Sequence, residues 1–304
     1  GAVVRALWLM LLLAVANIGV ASPVFAVREL TVDFSPFTVV AAPGESLVLP
    51  VLSGTLAGAS VDAPEAVSTH LEQGSLLLEA PDKAGFYPVR ITLPDGEQRQ
   101  LQLFVAVPAS TIENGYLNGY RMGPSPPGHP RFPELYRAPE VFIEVSEALL
   151  ETPLSPHFTL RQFLCKQESG YPKYVALKES LLVLLEGLLE AVQEAGYDAR
   201  TFGVISGYRT PWYNKSIGNV PNSRHVYGDA MDLYVDLDGD GRLDDLDGDG
   251  DHDLADVDIL ADIAEAYMGR PSKSLVFGGV GRYRKTHYHG GFVHVDTRGY
   301  AARW

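Results

Sequence analysis

One cysteine, Cys165, stands in the 304 residues. That excludes an intrachain disulfide framework and a zinc site built on several cysteines. Basic residues are scarce, 24 Lys and Arg against 38 Asp and Glu, for a formal net charge of -14. Phosphate binding needs a Lys/Arg surplus, so nucleic acid is excluded as a partner. No apolar run reaches the roughly 20 residues of a membrane span. The longest, at Ala6–Val15, is followed by Asn17 and Gly19. What remains is globular, with 46% hydrophobic and 20% charged residues. The length is that of about two domains. The acid is concentrated: residues 232–258 hold twelve Asp and one Arg, or -11, leaving -3 for the rest of the chain.

Residues 1–26 have the layout of a cleaved secretory signal. Arg5 gives a positive start, the apolar stretch follows, and small residues lead to Val24-Phe25-Ala26. A membrane anchor is the alternative, and the start at Gly1 suggests a trimmed end. Cleavage after Ala26 predicts a periplasmic or secreted bacterial protein with no stable membrane span. Cys165 then belongs in the interior with its apolar neighbours Phe163 and Leu164.

Residues 27–108 carry short alternating runs such as Ser46-Leu47-Val48-Leu49 and Gln98–Val105, separated by turns such as Pro43-Gly44 and Pro94-Asp95-Gly96. Seven or so strands in that length predict a small immunoglobulin-like β-sandwich, a spacer or binding module. A linker at 109–150 opens with a Gly-, Pro- and Tyr-rich stretch. It reads either as an irregular segment packed by its aromatics or as a groove wall. Residues 151–304 predict a mixed α+β domain. A helix is expected over Tyr174–Ala195, with Leu177, Leu181, Leu184, Leu185, Leu188 and Val192 on one stripe, and another near Ala255–Met268. Strands are expected at Thr201–Ser206, Ser274–Phe277 and Gly291–Val295.

His225 and Asp232 lie seven residues apart, and His294 sits on an expected strand. Two imidazoles and one carboxylate are a ligand set for a catalytic zinc that keeps a fourth position open. By spacing alone, a buried histidine and a capping aspartate fit equally well. Asp236-x-Asp238-x-Asp240-Gly241-x-x-Asp244-x-x-Asp247 matches a twelve-residue calcium loop, with Gly at the sharp turn. A second register overlaps it: Asp245, Asp247, Asp249, Asp251, Asp253 and Asp256, with Gly250 at the turn. The insert 236–256 thus predicts one or two structural calcium ions beside the zinc site. A solvated acidic loop is the alternative.

Four motifs in order resemble the zinc D,D-peptidases of the peptidase M15 type, which have the Hedgehog/D,D-peptidase fold. They are Ser-Gly-Tyr-Arg-Thr-Pro-x-Tyr-Asn (206–214), Ser-x-His-x-x-Gly-x-Ala-x-Asp (223–232), Gly-Gly-Val-Gly-Arg-Tyr (278–283) and Phe-Val-His-Val-Asp-Thr-Arg-Gly (292–299). The resemblance covers about residues 155–304. It implies His225, Asp232 and His294 as zinc ligands, and Arg209 at the scissile carbonyl or the substrate carboxylate. It implies peptidoglycan stem peptides as substrate, cut as a D,D-carboxypeptidase or a cross-link endopeptidase. Where relatives carry an acidic base before the last histidine, this chain has Gly291 and Phe292. Asp296 and His289 are then the candidate bases, with Asp296 also open to a role orienting a ligand histidine. Ser223 is a candidate hydrogen bonder or a turn cap. The rival reading is a non-catalytic wall-binding or calcium-dependent adhesion protein with a degenerate zinc site.

Overall fold

The computed structural model describes residues 22–72, 74–271 and 276–304. Most of the expected signal therefore lies outside the described residues, as do Ser274 and Leu275 of the expected strand at Ser274–Phe277. The expected boundary after Ala26 falls inside the first strand, where Phe25 and Val27 are buried.

Residues 24–105 form nine strands: β1 (Val24–Val27), β2 (Leu30–Val32), β3 (Phe37–Ala41), β4 (Ser46–Ser53), β5 (Ser60–Asp62), β6 (Ser68–Glu72), β7 (Ser75–Glu79), β8 (Gly85–Thr92) and β9 (Gln98–Val105). They make two sheets, ordered β2-β1-β4-β7-β6 and β3-β9-β8-β5. Side-chain alternation sets the inner faces. In β4, Leu47 and Leu49 are buried while Ser46 and Val48 are exposed, and the paired β7 buries Leu76 and Leu78. Phe25 stacks on Phe37 at 5.5 Å across the two sheets. β3 is buried at all five positions. A strand covered on both faces loses its alternation, and the cover on the second face comes from the rest of the chain.

Short strands follow: β10 (Val107–Pro108), β11 (Tyr116–Leu117), β12 (Tyr120–Arg121), β13 (Val141–Val145), β14 (Pro153–Ser155), β15 (Phe158–Thr159) and β16 (Lys173–Val175). The helix expected from Tyr174 starts at Glu179 instead. Residues 173–175 pair with β13, where the Tyr174 hydroxyl donates to its cross-strand partner Glu144 at 2.7 Å. That pairing overrides the helical periodicity. The remaining elements are α1 (Glu179–Glu194), β17 (Gly203–Ser206), α2 (Pro211–Ser216), β18 (Ala230–Tyr234), α3 (Leu254–Met268), β19 (Gly279–Tyr283), β20 (Phe292–Asp296) and β21 (Ala302–Arg303). The central sheet runs β17-β18-β20-β19-β21. The class is mixed α+β with more sheet than helix. No helix among the described residues is long and apolar enough to cross a membrane.

α1 buries Leu181, Leu184, Leu185, Leu188 and Val192 and packs against α3 on one side and β2 and β3 on the other. One hydrophobic core runs through both parts of the chain, with Cys165 inside it. The join is also polar. Glu179 accepts from Arg28 Nε and from the Val40 amide, both at 3.0 Å. Thr38 donates to the Leu154 carbonyl, and Gln102 to the Pro153 carbonyl.

Glu179→Ala strands the buried Val40 amide, so a loss of about 1–3 kcal/mol in unfolding free energy is expected. Glu179→Gln retains an acceptor and loses less. Equal stability of all three proteins in a urea titration would show that this contact does not hold the two parts together.

Candidate metal centre

β17 delivers Ser206, and the chain then turns through Gly207 and Tyr208 to Arg209. Thr210 caps α2 by accepting from the Tyr213 amide at 3.0 Å, and Pro211 opens the helix. A single 3₁₀ turn, Arg224–Tyr227, carries His225 and ends at Gly228. Gly228 has φ +77, and a Cβ there would lie 2.5 Å from the Ala176 carbonyl oxygen, so only glycine fits. β18 brings Asp232 opposite His294 of β20 in direct register.

His225, Asp232 and His294 are all buried, and their ligand atoms lie within 4.8 Å of one another. His225 holds the Gly207 carbonyl through Nδ1 at 2.6 Å, and its Nε2 faces Asp232 Oδ1 at 3.1 Å. His294 holds Asp296 Oδ2 through Nε2 at 2.7 Å, and its Nδ1 faces the same Asp232 oxygen at 3.0 Å. With the outer nitrogens protonated, both inner nitrogens present lone pairs to a carboxylate. Three lone pairs converging in a buried site repel unless a cation lies between them. The donor set and its tautomers therefore fit a metal. Burial pushes the His225 pKa down. Without a metal, protons on the two inner nitrogens would take the cation's place and hold the Asp232 carboxylate well below its usual range against the effect of burial.

Arg209 is 6% exposed. Its Nε donates to Ser206 at 2.8 Å, Nη1 to Asn214 at 3.3 Å, and Nη2 to Asp232 Oδ2 at 3.2 Å. That leaves one N–H on each terminal nitrogen. Arg209 lines a cleft of about 480 Å³ together with the triad, Asn222, Ser223, Tyr283, Arg298 and Trp304. Ser223 precedes the 3₁₀ turn but makes no side-chain capping bond.

The two candidate bases are not at this cleft. Asp296 shares a strand face with His294, as spacing predicts, but its carboxylate meets the outer nitrogen of the ring. It is fully buried and also accepts from the Gly279 amide and from Arg298, which contacts it at 2.7 and 2.9 Å. Burial would raise its pKa, but His294 and Arg298 hold it far below the carboxylate range. This geometry orients the ligand and does not reach its metal-facing side. His289 hydrogen-bonds the Gly290 carbonyl and lines a separate cavity with Arg242, His252 and Lys285. Sequence reasoning gave no role to Arg298 and Tyr283, which stand in the quoted motifs, or to Trp304, five residues beyond the last of them.

The acidic insert folds into two loops with one hydrogen-bond pattern repeated after nine residues. Asp236 accepts from the amides of Gly239, Asp240 and Gly241, and Asp245 from those of Gly248, Asp249 and Gly250. The carboxylates gather as Asp236, Asp238, Asp240 and Asp244, then Asp245, Asp247 and Asp256, then Asp249, Asp251 and Asp253. Asp247 groups with the second loop, not with both. Asp256 is fully buried at the start of α3 and accepts from the Leu246 and Asp253 amides.

Asp296→Asn keeps the size and removes the charge behind His294. Metal retention is expected to fall about 10–100-fold, as for other partners of ligand histidines. A chelator competition titration checks it, and unchanged affinity would refute the orienting role.

No curated protein matches the chain. Among solved structures it is similar to the twitchin kinase region from C. elegans (Fn31-NL-kin-CRD-Ig26), at 15% identity and a TM-score of 0.18. That match spans 24% of this chain and 15% of the other, and so slight a likeness carries no argument. Residues 156–244 match the family model described as Peptidase M15, a stretch that includes Arg209, Ser223, His225 and Asp232 but ends before His294. The match supports a peptidase M15-type domain in this part of the chain.

Proposed function

We propose that the chain is an exported zinc metallopeptidase acting on D-amino-acid amide bonds in peptidoglycan stem peptides. The observation that carries this reading is the buried His225, Asp232 and His294 triad with Arg209 beside it in one cleft. Zinc, when bound, supplies a Lewis acid and lowers the pKa of water toward about 7. The protein's own residues do the rest. Asp296 and the Gly207 carbonyl fix the tautomers of the two histidines. Arg209 braces Asp232 with one N–H and keeps two others for a substrate carbonyl or carboxylate. The guanidinium is already tied down on three sides, so little ordering remains when substrate arrives.

Carboxypeptidase and cross-link endopeptidase activity both belong to this reading. The cleft opens past Val220 and Trp304, which are 66% and 47% exposed. In this reading the catalytic part has a Hedgehog/D,D-peptidase-like fold. The two-sheet part is an immunoglobulin-like spacer or wall-binding module, and a signal segment ahead of β1 directs the chain to the periplasm or outside the cell. Calcium occupies the two Asp loops, since three or four carboxylates at each loop repel without a cation.

Digestion of purified peptidoglycan by the zinc-loaded chain is expected to release muropeptide products, and His225→Ala is expected to release none. Loss of terminal D-Ala would mean carboxypeptidase action, and conversion of dimers to monomers would mean endopeptidase action. No product from folded, zinc-loaded protein on several wall types would refute the proposal.

For calcium, EGTA with zinc held constant is expected to lower both thermal stability and activity. A site at a hundred times its Kd contributes about 2.7 kcal/mol. An unchanged melting temperature and rate would overturn the calcium assignment.

A further inference from the structure

This inference rests on the proposed peptidase reading and adds a residue to it. Among the described residues lining the cleft, Asp232 is the one carboxylate, and it belongs to the triad. Asp296 sits behind His294, and His289 lines another cavity. The polar groups of the cleft wall are mostly occupied. Arg224 is held by Asp229, Arg298 by Asp296, and the Asn222 amide by Gly128 and Tyr227.

Tyr283 is different. Its ring lies flat on Phe292, with centroids 4.6 Å apart and planes 7° apart. Trp304 Nε1 meets its oxygen at 2.6 Å. An indole N–H only donates, so the phenol oxygen is the acceptor in that bond. The phenol's own proton is donated to no described residue. Trp304 is itself fixed, against Gly281, where a Cβ would come within 2.5 Å of the indole, and beside His294 at 5.0 Å between centroids. Tyr283 and Arg209 line the same cleft. The Ser223 hydroxyl likewise bonds to no described residue, and no ring packing holds it.

We propose that the Tyr283 hydroxyl, in the cleft that Arg209 also lines, is a catalytic hydrogen-bond donor to the oxygen of the reacting carbonyl and is held in place by Trp304. Negative charge develops on that oxygen as the amide is attacked, so a donor already fixed there acts mainly in the transition state. No proton changes hands in this role. Arg209 supplies charge and Tyr283 supplies direction. Trp304 is the positioning residue.

Tyr283→Phe keeps the ring on Phe292 and removes only the oxygen. In muropeptide digestion by zinc-loaded protein, kcat is expected to fall about 10²–10³-fold, the usual loss of one such donor, with KM within about twofold. A phosphinate analogue of a stem dipeptide, followed by calorimetry, is expected to bind the variant weaker by a similar factor. Zinc retention in a chelator competition is expected to be unchanged. Trp304→Phe is expected to give a smaller loss in kcat, again at constant KM. A Tyr283→Phe protein with wild-type kcat and phosphinate affinity would overturn the proposal and leave the peptidase reading standing. So would a loss that follows Ser223→Ala instead. A wild-type chain that neither cleaves muropeptides nor binds the phosphinate would overturn both.

Discussion

The pairing of β18 with β20 is the constraint on which the site depends. Asp232 and His294 are direct cross-strand partners, so their side chains stand on the same face of the sheet. A slip of one residue would send either to the opposite face. Both strands are buried throughout, which leaves little freedom for such a slip. Val293 and Val295 point into the core while Phe292, His294 and Asp296 share the other face. That alternation is ordinary strand behaviour turned to a metal site. His225 enters from outside the sheet, and its short turn is stopped by a glycine pressed on the Ala176 carbonyl. The three candidate ligands thus come from buried segments of chain.

Much of this was legible in the sequence, and what was not has identifiable causes. The triad, Arg209 and the two Asp loops stand in motifs whose spacing reflects local geometry. α3 was legible near Ala255–Met268, although the capping pair that starts it, Asp253 and Asp256, reads in the sequence only as calcium ligands. The start of α1 was not, because apolar periodicity continues through Tyr174 and Val175 while their backbone pairs with β13. Strand period placed Asp296 on the face of His294. It could not say which imidazole nitrogen the carboxylate would meet, because that depends on the ring's rotamer. His289 lies five residues before His294, but the Thr286 amide closes a turn on its carbonyl and the ring faces the Asp loops. The pairing of Trp304 with Tyr283 joins residues 21 apart, and no local pattern encodes it.

The acidic insert is tied to the end of β18 and to the start of α3. Asp244 donates its amide to the carbonyl of Val235, one residue beyond β18. Asp256 fastens the second loop to the first turn of α3. From α3, Asp258, Asp262 and Glu265 clamp Arg282 of β19, and β19 pairs with β20. These partly exposed ion pairs each contribute little, but a network on one guanidinium orients it. Contiguous contacts thus run from the second loop through α3 to the strand that pairs with His294.

The amino-terminal sheets are built into this arrangement and do not hang from it. β3 is buried on both faces, and its outer face hydrogen-bonds chain at Leu154 and Glu179. The connecting segment has its own role. Tyr136 and Tyr227 enclose the Arg224 guanidinium at 4.7 and 4.5 Å, while Arg224 also holds the Leu135 carbonyl and Asp229. The Gly128 carbonyl holds Asn222 on the wall of the metal cleft. Arg224 is the residue immediately before His225. The segment between the two parts therefore buttresses the turn that delivers a metal ligand. The linker's aromatics pack behind the cleft, against Arg224 and Tyr227, and among the described residues lining the cleft none comes from the linker itself.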